Sequence, residues 1–195
     1  MPITMIKAAS AIKKACTRHQ LTLDKINFDF NNFSTLPKGD NFKLTNCWKF
    51  TGISEQAFIV SYSNSYRLAI VKPEIDYRPY HVTSDYLAAY IIFKDDTPDT
   101  IIQPITFAEM VMNILFHQNI KIPMHSGFNK KYLLQSGDKN RIVEILIAGV
   151  IEIFELQDDL HLEIRNNECL IYLLRPIQEN DGLTLANITK KLLNR

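Results

Sequence analysis

Cysteine is scarce. Cys16, Cys47 and Cys169 are the whole complement of a 195-residue chain, an odd number, far apart and without a CxxC pair. That spacing argues against a disulfide framework or a zinc site and fits reduced thiols. Glycine is sparse too, at six residues, and none forms a GxGxxG, a P-loop or a GxSxG elbow. No apolar run approaches the roughly 18 residues of a membrane span. The first residues, "MPITMIKAASAIKKACTRHQ", lack the apolar region and cleavage site of a signal peptide. A net charge of +1 supplies no global field to attract nucleic acid or a membrane. The expectation is a cytoplasmic chain with no cofactor, no metal and no nucleic-acid partner.

What is present suits a globular domain. The apolar fraction is 46% and the charged fraction 22%, both ordinary. Residues 3–19 read as an amphipathic helix, with Ala8, Ile12, Ala15 and His19 on one side and Lys7, Lys14 and Arg18 on the other. Residues 24–41 read as a loop whose phenylalanines pin it to the core. "FKLTNCWKF" (42–50), "QAFIVSYS" (56–63) and "YRLAIVK" (66–72) read as an antiparallel meander, with a turn at Ser63-Asn64-Ser65. "DYLAAYIIF" (85–93) leans to helix. "TIIQPI" (100–105) is a short strand that Pro104 holds to an edge or an end. Thr106 and Glu109 form a capping box for a helix to about Asn119. A strand at 130–136, a long helix at 139–156, a hairpin turning at Asn166-Asn167 and a closing helix complete the chain.

The one constellation with catalytic potential is Glu109, His117 and His125. Glu109 and His117 share a polar stripe of the helix with Asn113, and His125 follows in the next loop. A Glu/His set could bind a small ligand or move protons, but the spacing is looser than any metal motif and an ordinary solvated stripe has the same pattern. The pairs Asp95-Asp96 and Asp158-Asp159 lie in turns, where adjacent carboxylates project apart. His161 alternates with Leu160 and Leu162 and is expected to face solvent.

"KKYLLQSGDKNR" (130–141) joins a strand to a helix start with basic residues nearby, the parts of an anion site. It has only Gly137, and Asp138 at the N-cap would occupy the first-turn donors. A helix start is the better reading. The helix beyond it is apolar over far more than the arc a surface helix needs, so it should be sandwiched between layers or covered by a second copy. Residues 1–23 carry four basic side chains and no acid, whereas residues 137–170 hold eight acids against three bases. A basic helix could dock on an anionic membrane, but small apolar residues without Trp or Phe make a weak anchor.

Residues 100–195, in the order "IIQPITFAEMV", "GFNKKYLLQSGDKNRIVEIL", "LHLEIRNNECLIYLLR" and a final helix, resemble a family of uncharacterised bacterial proteins with a domain of unknown function. "NCWKFTGISEQAFIVSYS" is similar to an earlier part of that pattern. The resemblance implies no activity, substrate or catalytic residue. The fold expected is α+β: an antiparallel sheet, made of the middle meander and the C-terminal hairpin, packed by amphipathic and buried helices. Residues 1–195 form a single domain, divisible into 1–98 and 99–195. The function expected is a non-enzymatic binding or interaction domain with an unknown protein partner, or one that self-associates through its apolar helices. The rivals are a ligand site or enzyme at Glu109, His117 and His125, and a peripheral membrane protein using the N-terminal helix.

Overall fold

A computed structural model describes residues 3–24, 30–39, 41–51, 56–69, 79–106, 119–147 and 149–194. In chain order these form α1 (Ile3–His19), β1 (Leu21–Asp24), β2 (Lys43–Phe50), β3 (Gln56–Ala69), β4 (Pro79–Ile92) and β5 (Thr100–Pro104). There follow α2 (Ser126–Lys131), β6 (Tyr132–Ser136), α3 (Lys139–Ile147), α4 (Ile151–Glu155), β7 (Leu160–Arg165), β8 (Glu168–Leu173) and α5 (Asp181–Leu193). The strands make one antiparallel sheet in the order β1-β2-β3-β4-β8-β7-β5-β6. The α+β fold is as expected. The C-terminal hairpin β7–β8 lies between β4 and β5, so one sheet runs through both halves of the chain. Among the described residues, no helix is long and apolar enough to cross a membrane.

Side chains alternate between the two faces of the sheet. On one face Ile59, Ala89, Ile91, Ile102, Leu134, Leu162 and Ile171 pack against helix residues including Ile12, Ile142, Phe154, Leu185 and Ile188. On the other, Phe58, Val60, Tyr90, Leu170 and Tyr172 pack under Phe30, Phe33 and Leu36 of the segment 30–39. The phenylalanines do pin that loop, and they bury the second face of the sheet.

This double burial overturns two expectations. "DYLAAYIIF" belongs to β4 and not to a helix: Leu87, Ala89 and Ile91 face the helices while Ala88 and Tyr90 face the loop, so the polar/apolar alternation of a half-buried strand is missing. His161 does not face solvent. It is buried, stacked on Tyr172 with ring centroids 4.9 Å apart, because loop 30–39 covers its side of β7.

Two more corrections are local. Ser63-Asn64-Ser65 is not a turn; β3 runs straight through it, paired with Thr83–Asp85 of β4. Asn64 accepts from the Gly39 N–H at 2.7 Å and donates to the Pro37 carbonyl at 2.8 Å, and Ser65 meets Thr83 hydroxyl to hydroxyl at 2.8 Å. These polar side chains tie the loop and the two strands together. The helix expected over 139–156 is instead two. α3 ends at Ile147 and α4 begins at Ile151, with Gly149 at φ +94° between them. The apolar stretch is therefore two short helices, and a single helical projection drawn through both does not describe which side of each is buried. Asp138 caps α3 as expected: its Oδ1 accepts the Arg141 N–H at 3.0 Å. The Asn166-Asn167 turn has both residues at positive φ, 50° and 66°, as a tight hairpin demands.

The two edges of the sheet are closed differently. β1 is only four residues long. β6 is capped by residues 119–120: the Ile120 N–H donates to the Leu134 carbonyl at 2.8 Å, and Asn119 Oδ1 accepts the Leu134 N–H at 2.9 Å. A side chain thus takes the place of a further strand.

Candidate functional site

Glu109 and His117, and the helix that was to carry them, lie outside the described residues. His125 is described. It immediately precedes α2, half-buried, with Nδ1 3.5 Å from Glu155 Oε1 at the end of α4. The corner they form is tied down from several sides. Glu155 Oε1 also accepts the Phe128 N–H at 3.2 Å, and the Glu155 carbonyl accepts Lys131 Nζ at 2.8 Å. A Cβ on Gly127 would come within 3.2 Å of Glu155 Oε1, so glycine allows this close approach. Asn129 clamps the loop before the helix, accepting from the Ile122 N–H at 2.9 Å and donating to its carbonyl at 2.7 Å. Beneath, Phe128 stacks on Tyr132 and meets Phe154 edge-on, and the Tyr132 hydroxyl donates to the Gln157 carbonyl at 2.7 Å.

On this rigid base two apolar side chains point outward. Met124 is wholly exposed and is held at φ +65°, a left-handed backbone that is uncommon outside glycine and asparagine. Leu156 is 80% exposed. They are the chain neighbours of His125 and Glu155, the pair that meets across the corner. Neither residue has a sequence signal: Met124 is one apolar residue in a proline-containing link, and Leu156 closes an apolar helix. The acidic pair beside the corner divides as its turn geometry required. Asp158 pairs with Lys131 at 2.7 Å, and Asp159 with Arg175 at 2.6 Å.

A second site lies at the far end of β5, β6 and β7. An open pocket of about 330 Å³ is lined by Asp99, Thr100, Ile101, Gln135, Ser136, Gly137 and Arg165. It includes Ser136 and Gly137 of the loop whose sequence carries the parts of an anion site. Arg165 donates from Nε to Glu163 at 3.2 Å and from Nη1 to Asp99 at 3.1 Å. Two carboxylates thus surround one guanidinium, and Asp138 lies next to Gly137, so the field disfavours an anion. Glu163 itself is fully buried. It accepts from the N–H and hydroxyl of Ser34 (3.1 and 2.8 Å) and of Thr35 (2.9 and 2.7 Å). Burial alone would raise its carboxyl, but the donors of Thr35 and Ser34 together outweigh that and hold it below the ordinary glutamate range. Tyr172 adds a donor to the Thr35 carbonyl. The cluster fastens loop 30–39 to the sheet, and its lone pairs are committed to that task.

Among the described residues, no three His, Cys, Asp or Glu side chains gather as a metal ion would need. No family model, no curated protein and no solved structure matches the chain.

Proposed function

We propose that this chain is a non-enzymatic binding domain that engages a protein partner, a second copy included, through the α2–α4 corner. One observation carries the reading: Met124 is fixed in a left-handed conformation with its whole side chain in water, on a base that hydrogen bonds and stacked rings make rigid. A non-glycine residue in that conformation costs on the order of 1–3 kcal/mol, and such strain persists at sites with a use for it. Methionine is suited to the use, because its flexible, polarisable side chain fits varied apolar surfaces. Leu156 adds a second apolar contact, and the half-buried His125–Glu155 pair and the Lys131–Asp158 pair supply a polar rim. A preorganised base lowers the ordering cost of association.

The test is site-specific photocrosslinking of the chain in its native cell extract. A benzophenone side chain at position 156 is expected to capture one discrete protein, or a second copy, that the same group at Lys94 does not capture. No discrete product from position 156, or identical products from both positions, overturns the proposal.

A further inference from the structure

The basic helix α1 is held to the rest of the molecule by a junction with a specific weakness. Its described inner face, Ala11, Ile12 and Ala15, is seated on α5 where Gly182 lets the backbones approach: a Cβ there would lie 2.6 Å from the Ala11 carbonyl oxygen. At its C-terminal end His19 is 7% exposed and faces Phe50 of β2, with ring centroids 6.5 Å apart. His19 Nε2 lies 3.0 Å from Asn187 Oδ1 of α5. That acceptor places the proton on Nε2 and leaves Nδ1 as a bare lone pair, buried and without a partner among the described residues. The charged groups acting on the ring are Lys190 of α5 and Arg18 of α1 itself, while Phe50 from β2 is uncharged. Both charges are positive, and no carboxylate among the described residues acts on it.

We propose that His19 is an acid-sensitive latch whose protonation releases α1 from α5 and β2 while the central sheet stays folded. The neutral ring fits the junction. Its protonated form would place a second N–H donor on Nδ1 in a dry site with no acceptor, beside two cations. Burial first, then Lys190, holds the folded ring below the ordinary histidine value of about 6.5. A ring depressed in the folded state gives full stability above that value and loses it progressively as pH falls below it. The loss falls on α1 because His19 joins α1 to its neighbours. The other end of the junction is closed by the exposed Lys14–Glu179 pair at 2.8 Å, in which Lys14 holds the Glu179 carboxyl below the ordinary glutamate range. Release would uncover the apolar side of a helix bearing Lys13, Lys14 and Arg18, a surface separate from the α2–α4 corner.

Amide hydrogen exchange on the full chain, corrected for intrinsic rates, tests it between about pH 7.5 and about pH 5, on either side of the histidine value. Protection of residues 10–19 is expected to fall selectively below that value while β4, β7 and β8 keep theirs, with the His19 ring titrating in step by NMR. Lys190→Glu, which gives the imidazolium a counter-charge, is expected to move the release to lower pH. His19→Gln, which retains an amide for Asn187 and cannot titrate, is expected to remove the pH dependence. Loss of protection in α1 only together with the whole sheet overturns the latch. An unchanged release midpoint in Lys190→Glu overturns it as well, and does so even if His19→Gln fails to fold.

Discussion

Glu163 shows how one buried charge can decide where a long loop lies. Four donors from Ser34 and Thr35 converge on its carboxylate, and Arg165 completes the set. Glu163→Gln keeps the shape but removes the charge and turns one acceptor into a donor that faces donors. The expected cost is about 1.5–3 kcal/mol in chemical denaturation, since hydrogen bonds to charged groups are worth about that much. Because the folded carboxyl is held down, its contribution is complete above the unfolded glutamate value of about 4.3. It fades as pH falls below that value, and the Gln variant should lack this part of the acid profile. Asp138 is a simpler residue. Its cap bond to the Arg141 N–H should make Asp138→Ala cost about 1 kcal/mol, measured the same way.

At the scale of elements, what was legible in the sequence followed from whether the deciding contact was local. The Asn166-Asn167 hairpin and the Asp138 cap are settled within a few residues, and both were readable. The β4 strand was not, since "DYLAAYIIF" has apolar residues on both faces and only the fold reveals that both are covered. His161 was misplaced for the same reason: loop 30–39 crosses its face of β7 from more than a hundred residues away. The Ser63-Asn64-Ser65 segment looks like a turn, but its polar side chains bond to loop 36–39 and to Thr83. Gly149 divides an apolar stretch that periodicity alone reads as one helix. Its φ of +94° and the Lys191 Nζ, which lies against the place where a Cβ would stand, make Gly149→Ala unfavourable. Lys191 is the end of a flexible side chain and can shift, so the conformational cost dominates, about 1–2 kcal/mol by denaturation. A loss near zero would mean the break between α3 and α4 does not need the left-handed conformation.

At the scale of the whole molecule, one antiparallel sheet carries helices on one face and an aromatic loop on the other, and both ends of the chain meet where α1 packs on α5. The sequence pointed to His125 as one of three candidate site residues. It could not show that His125 meets Glu155, because that contact joins the start of α2 to the end of α4, which lie far apart along the chain. Met124 and Leu156 were invisible as a surface for a related reason. Apolar residues are expected inside, and nothing in the local sequence tells an exposed one from a buried one. Their exposure also makes a clear expectation about stability. Met124→Ser with Leu156→Ser should change the unfolding free energy by no more than about 0.5 kcal/mol, the usual range for surface substitutions.

The most direct measurement is a calorimetric titration of the purified crosslinked partner, or a dilution series if that partner is a second copy, against the original chain and the Met124→Ser, Leu156→Ser double variant. With the α2–α4 corner as the binding face, affinity should drop at least about tenfold, equivalent to about 1.4 kcal/mol, while thermal unfolding stays in place. Equal affinity in the two proteins would contradict the assignment of that corner.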